Sequence, residues 1–326
     1  MHKDVKSITV IGCGRWGSFL AWYLSGIGFS VTMYGRSDSY SYNTLKNNRC
    51  NEYITLPNAV NFTDNLSHAL TISDTVVISI SSQALPSLMT EIRDTLGGHA
   101  DKTFILCMKG IIENGGKRLS EVVHDILGSD VNCSLWIGPG HAEDFVKGIP
   151  NCMLMVSDNE ESAKNMCKKF GSSLIRFYYS TDIIGCEIGA ASKNVIGIAA
   201  GILDGMNYPS LKGALMARGP REIARLTKAM GGDERSIFGL CHLGDYEATL
   251  FSEHSHNRRF GEYFVRKQAY DKLAEGVYTV RSLMLLKDKY NVEMPICCAV
   301  NEIIHEGKNP HDVMASLFLR EQKSEY

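Results

Sequence analysis

Three groups of residues in this 326-residue chain have types and spacings that could do chemistry. The first is Gly12-Cys13-Gly14-Arg15-Trp16-Gly17, a G-x-G-x-x-G loop directly after the apolar run SITVIG at 7–12. Gly12 permits a tight turn, Gly14 lets the backbone approach a pyrophosphate, and Gly17 lets a following helix pack close to the strand. The helix N-terminus adds N–H donors and a partial positive charge. The pattern is weak alone and draws its force from the strand–loop–helix context; a glycine-rich turn without a ligand is the alternative. A second strand ends near Tyr34-Gly35-Arg36, where NAD-selective sites usually place an acid on the ribose hydroxyls. A guanidinium suits a 2′-phosphate and stacks on adenine. NADP is therefore favoured over NAD, although an arginine at a strand end is a surface residue as often as not, and Asp38 lies two positions on.

The second group centres on Lys193, inside the apolar stretch 183–203. Its neighbours one turn away are Gly189, Ala190, Ile196 and Gly197, which leave room for a ligand or a closely packed backbone. A lysine held there loses hydration and its pKa falls, which suits a general acid/base near neutral pH. Asn194 follows and can orient a polar substrate. Spacing alone leaves a structural Lys193–Glu187 pair equally open.

The third group is Ser255-His256-Asn257-Arg258-Arg259, which can bind an anion such as phosphate; a solvated surface turn fits the same residues. Leu243-Gly244-Asp245 could place a carboxylate on substrate hydroxyls, or be a turn cap.

The elements that must position these residues change character along the chain. Strand-like runs at 7–12, 30–34, 75–81, 103–108, 133–137, 151–157 and 174–180 alternate with helical segments at 15–27, 83–96, 115–128 and 160–170. That alternation predicts an α/β fold with a Rossmann-like, doubly wound, largely parallel sheet. Beyond about 181 only helical periodicity remains, over 183–206, 212–230, 262–274, 277–290 and 295–306. The expected organisation is a dinucleotide-binding domain over 1–181 and an all-helical substrate-binding domain over 182–326. No long linker separates them, so tight packing with a cleft is expected.

Composition restricts the classes of function. Hydrophobic residues are 44% and charged residues 21% of the chain, ordinary for a globular protein. Thirty-four Lys and Arg against 36 Asp and Glu give a net charge of −2, which argues against a nucleic-acid partner. The ten cysteines are scattered without a C-x-x-C pair, so a metal site is not expected. Residues 1–6 run straight into a strand without a secretory signal. Thiols of this kind suit a reducing cytoplasm. Stretch 183–203 is long enough to span a membrane, but Glu187, Lys193 and four glycines favour a buried core helix over a membrane span. A homodimer is left open.

Taken together, the segments resemble the bacterial NAD(P)-dependent glycerol-3-phosphate dehydrogenase family. The resemblance runs from Ile8 to about Gly307. It rests on VIGCGRWG (10–17), MKG (108–110), GPGHAEDFVKGIP (138–150), GAASKNVIGIAAGILDGM (189–206), ALMARGPREIARLTKAMGGD (214–233), LGD (243–245), NRRFG (257–261), AEG (274–276) and VEMPI (292–296). The resemblance implies a two-domain enzyme that reduces dihydroxyacetone phosphate to sn-glycerol 3-phosphate with NADH or NADPH, at the head of phospholipid synthesis. It implies Lys193 as the catalytic proton carrier and Lys109 as a second catalytic lysine near nicotinamide and substrate. Gly138, Asp245, Ser255, His256 and Asn257 match substrate-contacting positions. Gly12, Gly14, Arg15, Trp16, Gly17, Arg36, Lys109, Ala142, His256 and Glu275 match cofactor positions.

Three departures stand out. Gly140-His141 replaces a usual Ser or Thr followed by Phe, His256 replaces an arginine, and Leu273-Ala274 replaces Val-Val. Two rivals remain. A hydroxy-acid or ketopantoate dehydrogenase of the same build would not require NRRFG with LGD. A redox sensor that only binds NADP would need neither Lys109 nor Lys193.

Overall fold

A computed structural model of the chain describes residues 6–98, 101–322 and 324–325; the opening residues 1–5 of the expected leader-free start lie outside them. The chain divides into two compact units, Met1–Met108 with Arg118–Ile183, and Lys109–Lys117 with Ile184–Tyr326. An expected boundary at 181/182 puts Lys109–Lys117 with the first domain, whereas its contacts lie in the second unit. Ile111 belongs to the second unit's core, Ser282 donates to the Ile112 carbonyl, and Arg281 pairs with Glu113.

In the first unit the elements run β1 (Ser7–Ile11), α1 (Arg15–Gly26), β2 (Ser30–Tyr34), α2 (Tyr40–Asn48), β3 (Asn61–Thr63), α3 (Leu66–Thr71), β4 (Thr75–Ile78), α4 (Leu85–Leu96), β5 (Thr103–Leu106), α5 (Leu119–Leu127), β6 (Asn132–Ile137), α6 (Ala142–Val146), β7 (Asn151–Val156), α7 (Glu160–Phe170) and β8 (Ile175–Ser180). The sheet order is β3-β2-β1-β4-β5-β6-β7-β8. Strands covered on both faces read as continuous apolar runs, and Ile8, Val10, Val31, Met33, Val76, Val77, Phe104 and Ile105 are all fully buried. Among the described strands of this sheet, β6 and β7 alone pair antiparallel. A parallel return needs a crossover of a dozen or more residues; the link between them holds just the short α6. Strand order reverses between β1 and β4, so the crevice beyond their carboxyl ends receives the 12–17 loop.

The expected helix at 115–128 begins only at Leu119. Gly115 and Gly116 take positive φ of 94° and 67°, and the Glu121 carboxylate accepts the Arg118 N–H at 2.7 Å to start the helix. The strand β3 and helices α2, α3 and α6 carry too few apolar repeats to stand out in the sequence.

The second unit, among its described residues, is helical: α8 (Ile183–Gly205), α9 (Lys212–Ala229), α10 (His256–Val265), α11 (Gly276–Tyr290), α12 (Pro295–Ile304) and α13 (Pro310–Phe318). Helix α8 is long and apolar enough to cross a membrane by composition, yet 89% of its most apolar window is buried. Ile188, Val195, Ile196 and Ile198 are fully buried, each adding roughly 1.5–3 kcal/mol of apolar burial. Helices α8 and α10 meet backbone to backbone. A Cβ on Gly201 would stand 1.9 Å from the Arg258 carbonyl oxygen, and one on Gly261 would stand 2.2 Å from that of Ile198.

The helix expected at 262–274 is displaced toward the N-terminus. Ser255 caps α10 by accepting the Arg258 N–H at 3.3 Å, and Lys267 takes a left-handed φ of 56° that ends it. The expected strand and helix positions elsewhere coincide within a few residues.

Candidate active site

The glycine loop follows β1 and opens α1. Gly12 has φ of 116°, and a Cβ there would lie 2.0 Å from the Ser79 carbonyl oxygen. A Cβ on Gly17 would lie 2.1 Å from the Gly12 carbonyl oxygen, while Gly14 faces open space with nothing within 4 Å. No side chain caps α1, so its leading N–H groups can serve an anion. The loop fits a dinucleotide pyrophosphate.

Around it, Arg15 Nη2 contacts Glu143 Oε2 at 2.5 Å and His141 Nδ1 at 3.1 Å, and its guanidinium lies 5.4 Å from the Tyr53 ring centroid. Burial alone would raise the Glu143 carboxyl, but the Arg15 hydrogen bond and charge hold it below the usual value. Trp16 packs on Phe19 and Phe145. Ala142 is buried at the start of α6. Gly138 lies just beyond β6 with φ of 124°. The departure at Gly140 has a steric reason. Its φ is 142°, and a Cβ would stand 2.5 Å from the Phe145 ring. Arg36 is exposed at the end of β2, with Asp38 at 3.5 Å.

The second unit holds the lysines. Asp245, buried in a 3-10 turn over Leu243–Asp245, puts one oxygen, Oδ2, 2.5 Å from Lys193 Nζ and 2.7 Å from Lys109 Nζ. Lys193 Nζ also donates to Thr249 Oγ1 at 3.0 Å, and that hydroxyl donates in turn to the Asp245 carbonyl at 2.6 Å. Asp245, rather than Glu187, is thus the carboxylate on Lys193. Loss of hydration brings the Lys193 ammonium from 10.5 down to about 7; Asp245 pulls upward against this and Lys109 pushes further down.

An amide relay fixes the surroundings. The Gly276 N–H donates to Asn257 Oδ1 at 2.9 Å, Asn257 Nδ2 to Asn194 Oδ1 at 3.0 Å, and Asn194 Nδ2 to the Lys109 carbonyl at 2.8 Å. Glu275 precedes Gly276 as the N-cap position of α11. The small residues of α8 serve backbone packing: Gly189 accommodates Cys241 and His242, and Gly197 accommodates Thr249 and Asn257.

The 255–259 group divides its work. Ser255 caps α10, and His256 Nδ1 lies 2.7 Å from the Tyr270 hydroxyl. Arg258 is taken up by Asp204 at 2.5 Å and Glu262 at 3.2 Å. Arg259 instead lies over the Tyr263 and Tyr270 rings, 5.5 and 5.8 Å from their centroids, and has no carboxylate partner among the described residues. These residues form the first turns of a helix rather than a solvated turn. Thr249 and Glu143 escaped sequence reasoning. The D-x-x-x-T spacing is the one signal that could have found Thr249, since a threonine hydroxyl often bonds the carbonyl four residues back. Among the described residues no group of three His, Cys, Asp or Glu side chains could hold a metal ion.

Comparison with known proteins follows the same division of the chain. A family model for the NAD-dependent glycerol-3-phosphate dehydrogenase N-terminus matches residues 7–163, and one for the C-terminus of the same family matches 182–315. Glycerol-3-phosphate dehydrogenase [NAD(P)+] of Fusobacterium nucleatum is 35% identical over 331 residues, covering 98% of both chains. The crystal structure of glycerol-3-phosphate dehydrogenase from Coxiella burnetii superposes with a TM-score of 0.88 at 27% identity, covering 97% of this chain and 99% of that one. A ketopantoate reductase from Ralstonia eutropha aligns over 94% of this chain and 99% of its own with a TM-score of 0.59 at 10% identity, a likeness of fold alone. With both halves matched and identity sustained along nearly the whole length, the chain belongs to the NAD(P)-dependent glycerol-3-phosphate dehydrogenase family of oxidoreductases.

Proposed function

We propose that the protein reduces dihydroxyacetone phosphate reversibly to sn-glycerol 3-phosphate, with Lys193 carrying the proton. The observation that supports this most strongly is a buried ammonium tuned to about 7 and held between Asp245 and Thr249. A bound nicotinamide, NADH or NADPH, supplies the hydride. Lys193 Nζ donates a proton to the carbonyl oxygen as it becomes a hydroxyl, and takes it back in the reverse direction. Lys109 adds a second positive charge on the same carboxylate, so the lysine pair outweighs Asp245 and favours a developing alkoxide. Asp245 orients both ammonium groups. Asn257 keeps one amide hydrogen for a ligand beyond its relay.

Arg259 carries the phosphate-binding part of this reading, since Arg258 is neutralised by Asp204 and Glu262. Gly138, Ser255 and His256 complete the substrate contacts. Gly12, Gly14 and Gly17 hold the pyrophosphate with Arg15, Trp16 and Ala142 beside it; Arg36 takes the 2′-phosphate, favouring NADP. Lys109, His256 and Glu275 add cofactor contacts. A cytoplasmic enzyme feeding glycerophospholipid synthesis is the setting this implies, and sedimentation tests whether it works as a homodimer.

Initial rates of NADPH and NADH oxidation with dihydroxyacetone phosphate, beside ketopantoate and 2-oxo acids, test the assignment. Turnover is expected with dihydroxyacetone phosphate. Turnover only with a rival substrate, or with none, overturns it.

A further inference from the structure

Two buried side chains with no part in the proton transfer tie the Asp245 turn to the helix that carries Lys193. His242 is 0% exposed and Tyr246 is 1% exposed. His242 Nδ1 lies 2.8 Å from the Gly189 carbonyl oxygen, and Nε2 lies 2.7 Å from the Tyr246 hydroxyl. A carbonyl only accepts, so Nδ1 holds the proton and Nε2 accepts the tyrosine O–H. Burial pushes this imidazole down to about 4, which keeps it neutral and the tautomer constant.

The attachment points matter. Gly189 lies one turn before Lys193 on α8, and a Cβ there would stand 3.0 Å from Cys241 Sγ and 3.2 Å from His242 Cβ. The turn therefore rests directly on the helix backbone. On the other side, the absent side chain of Gly219 on α9 makes room for the Tyr246 hydroxyl, 3.0 Å from where a Cβ would be. Asp245 immediately precedes Tyr246. Immediately after it the chain enters a π-helical turn, Glu247–Phe251, that carries Thr249; such turns recur at functional sites. Both oxygen partners of Lys193 thus hang from Tyr246, one on each side. A shift of this tyrosine moves Asp245 Oδ2 and Thr249 Oγ1 together.

We propose that His242 and Tyr246 are a positioning pair that seats Asp245 and Thr249 on Lys193. The inference rests on Lys193 as the proton carrier. The groups facing the Lys193 ammonium are Asp245 and Thr249 from this turn and Lys109 from the 109–117 segment. Asp245 raises the proton affinity of Lys193, so loosening the turn lowers it.

Tyr246→Phe keeps the ring and deletes the link to His242. His242→Asn keeps a donor for the Gly189 carbonyl and deletes the acceptor for Tyr246. Each is expected to cut kcat about 10-fold or more, since a 1 Å displacement can cost about 100-fold. The KM for NADPH should stay near wild type, and the alkaline limb of kcat for reduction should move to lower pH. Lower thermal stability with wild-type kcat and an unmoved limb in either variant would mean a purely structural pair and overturn the proposal. In the wild-type protein, 15N NMR should show His242 as the Nδ1–H tautomer, without titration from about pH 6 to 8. The other tautomer, or titration in that range, overturns the proposal whether or not the variants fold. Failure of the underlying reading shows elsewhere, as wild-type turnover in Lys193→Met.

Discussion

Helix α8 carries two charge clusters built on the same plan and put to different use. Near its middle, Asp245 Oδ2 sits between Lys193 and Lys109. Near its C-terminal end, Asp204 Oδ2 sits between Lys212 at 2.7 Å and Arg258 at 2.5 Å. The second cluster has a second carboxylate, Glu262, beside its two cations. Lys212 also donates to the Leu250 carbonyl at 3.1 Å with the Phe251 ring 5.3 Å from its ammonium, and Arg258 adds Glu262 and the Ser252 carbonyl. Lys193 has three N–H donors and, among the described residues, two oxygen partners. One carboxylate faces two ammonium groups there. A charge-matched network holds helices together, whereas a cluster with a positive charge to spare can act on a substrate.

Lys193→Met is the strongest way to break this contrast. It should lower kcat about 10²–10⁴-fold, while the Asp245 carboxylate it leaves behind keeps Lys109 as a partner at 2.7 Å. Steady-state kinetics with thermal denaturation check it. The mirror experiment is Asp204→Asn, which should cost about 3–5 kcal/mol of stability by leaving the buried Lys212 ammonium without a carboxylate, with kcat of the folded fraction near wild type. Denaturant unfolding beside single-turnover rates decides. A collapse of kcat in well-folded Asp204→Asn would erase the distinction between the clusters.

Arg36 extends the comparison to an exposed charge with Asp38 3.5 Å away. Arg36→Ala should weaken NADPH about 10- to 100-fold, the worth of a charge-assisted contact, and spare NADH. Equal losses for both cofactors would reduce Arg36 to adenine stacking. The mildest perturbation is pH. Lys193 is brought down to about 7, so it is loaded with a proton below that value and stripped above it. Reduction should therefore slow as pH rises through about 7, by up to tenfold per pH unit, while oxidation speeds up. In Lys193→Arg any residual reduction should lose this limb, since a guanidinium stays charged.

The two units were legible in the sequence to different degrees. The glycine loop could be read because its function lies in the backbone and in local contacts, Gly17 against Gly12 within one turn. The parallel strands could be read because burial on both faces writes itself as apolar runs. Helix α10 was misplaced because its start depends on one serine cap and its end on a left-handed lysine, neither of which has a period. Asp245 looked like an ordinary turn acid, since nothing nearby in sequence reports that Lys109, 136 residues earlier, shares its oxygen.

By itself the sequence determined the class of the fold, the strand–loop–helix that suits a dinucleotide, and a lysine embedded in an apolar helix. Those properties are local, set by periodicity, glycine placement and side-chain hydration along a few turns of chain. Tertiary structure alone decided which carboxylate meets Lys193, which of two adjacent arginines stays without a carboxylate partner, and why a histidine and a tyrosine are buried behind Asp245. Each of those depends on side chains brought within 3 Å or so from distant segments, and a Coulomb or hydrogen-bond partner at that range has no trace in sequence spacing.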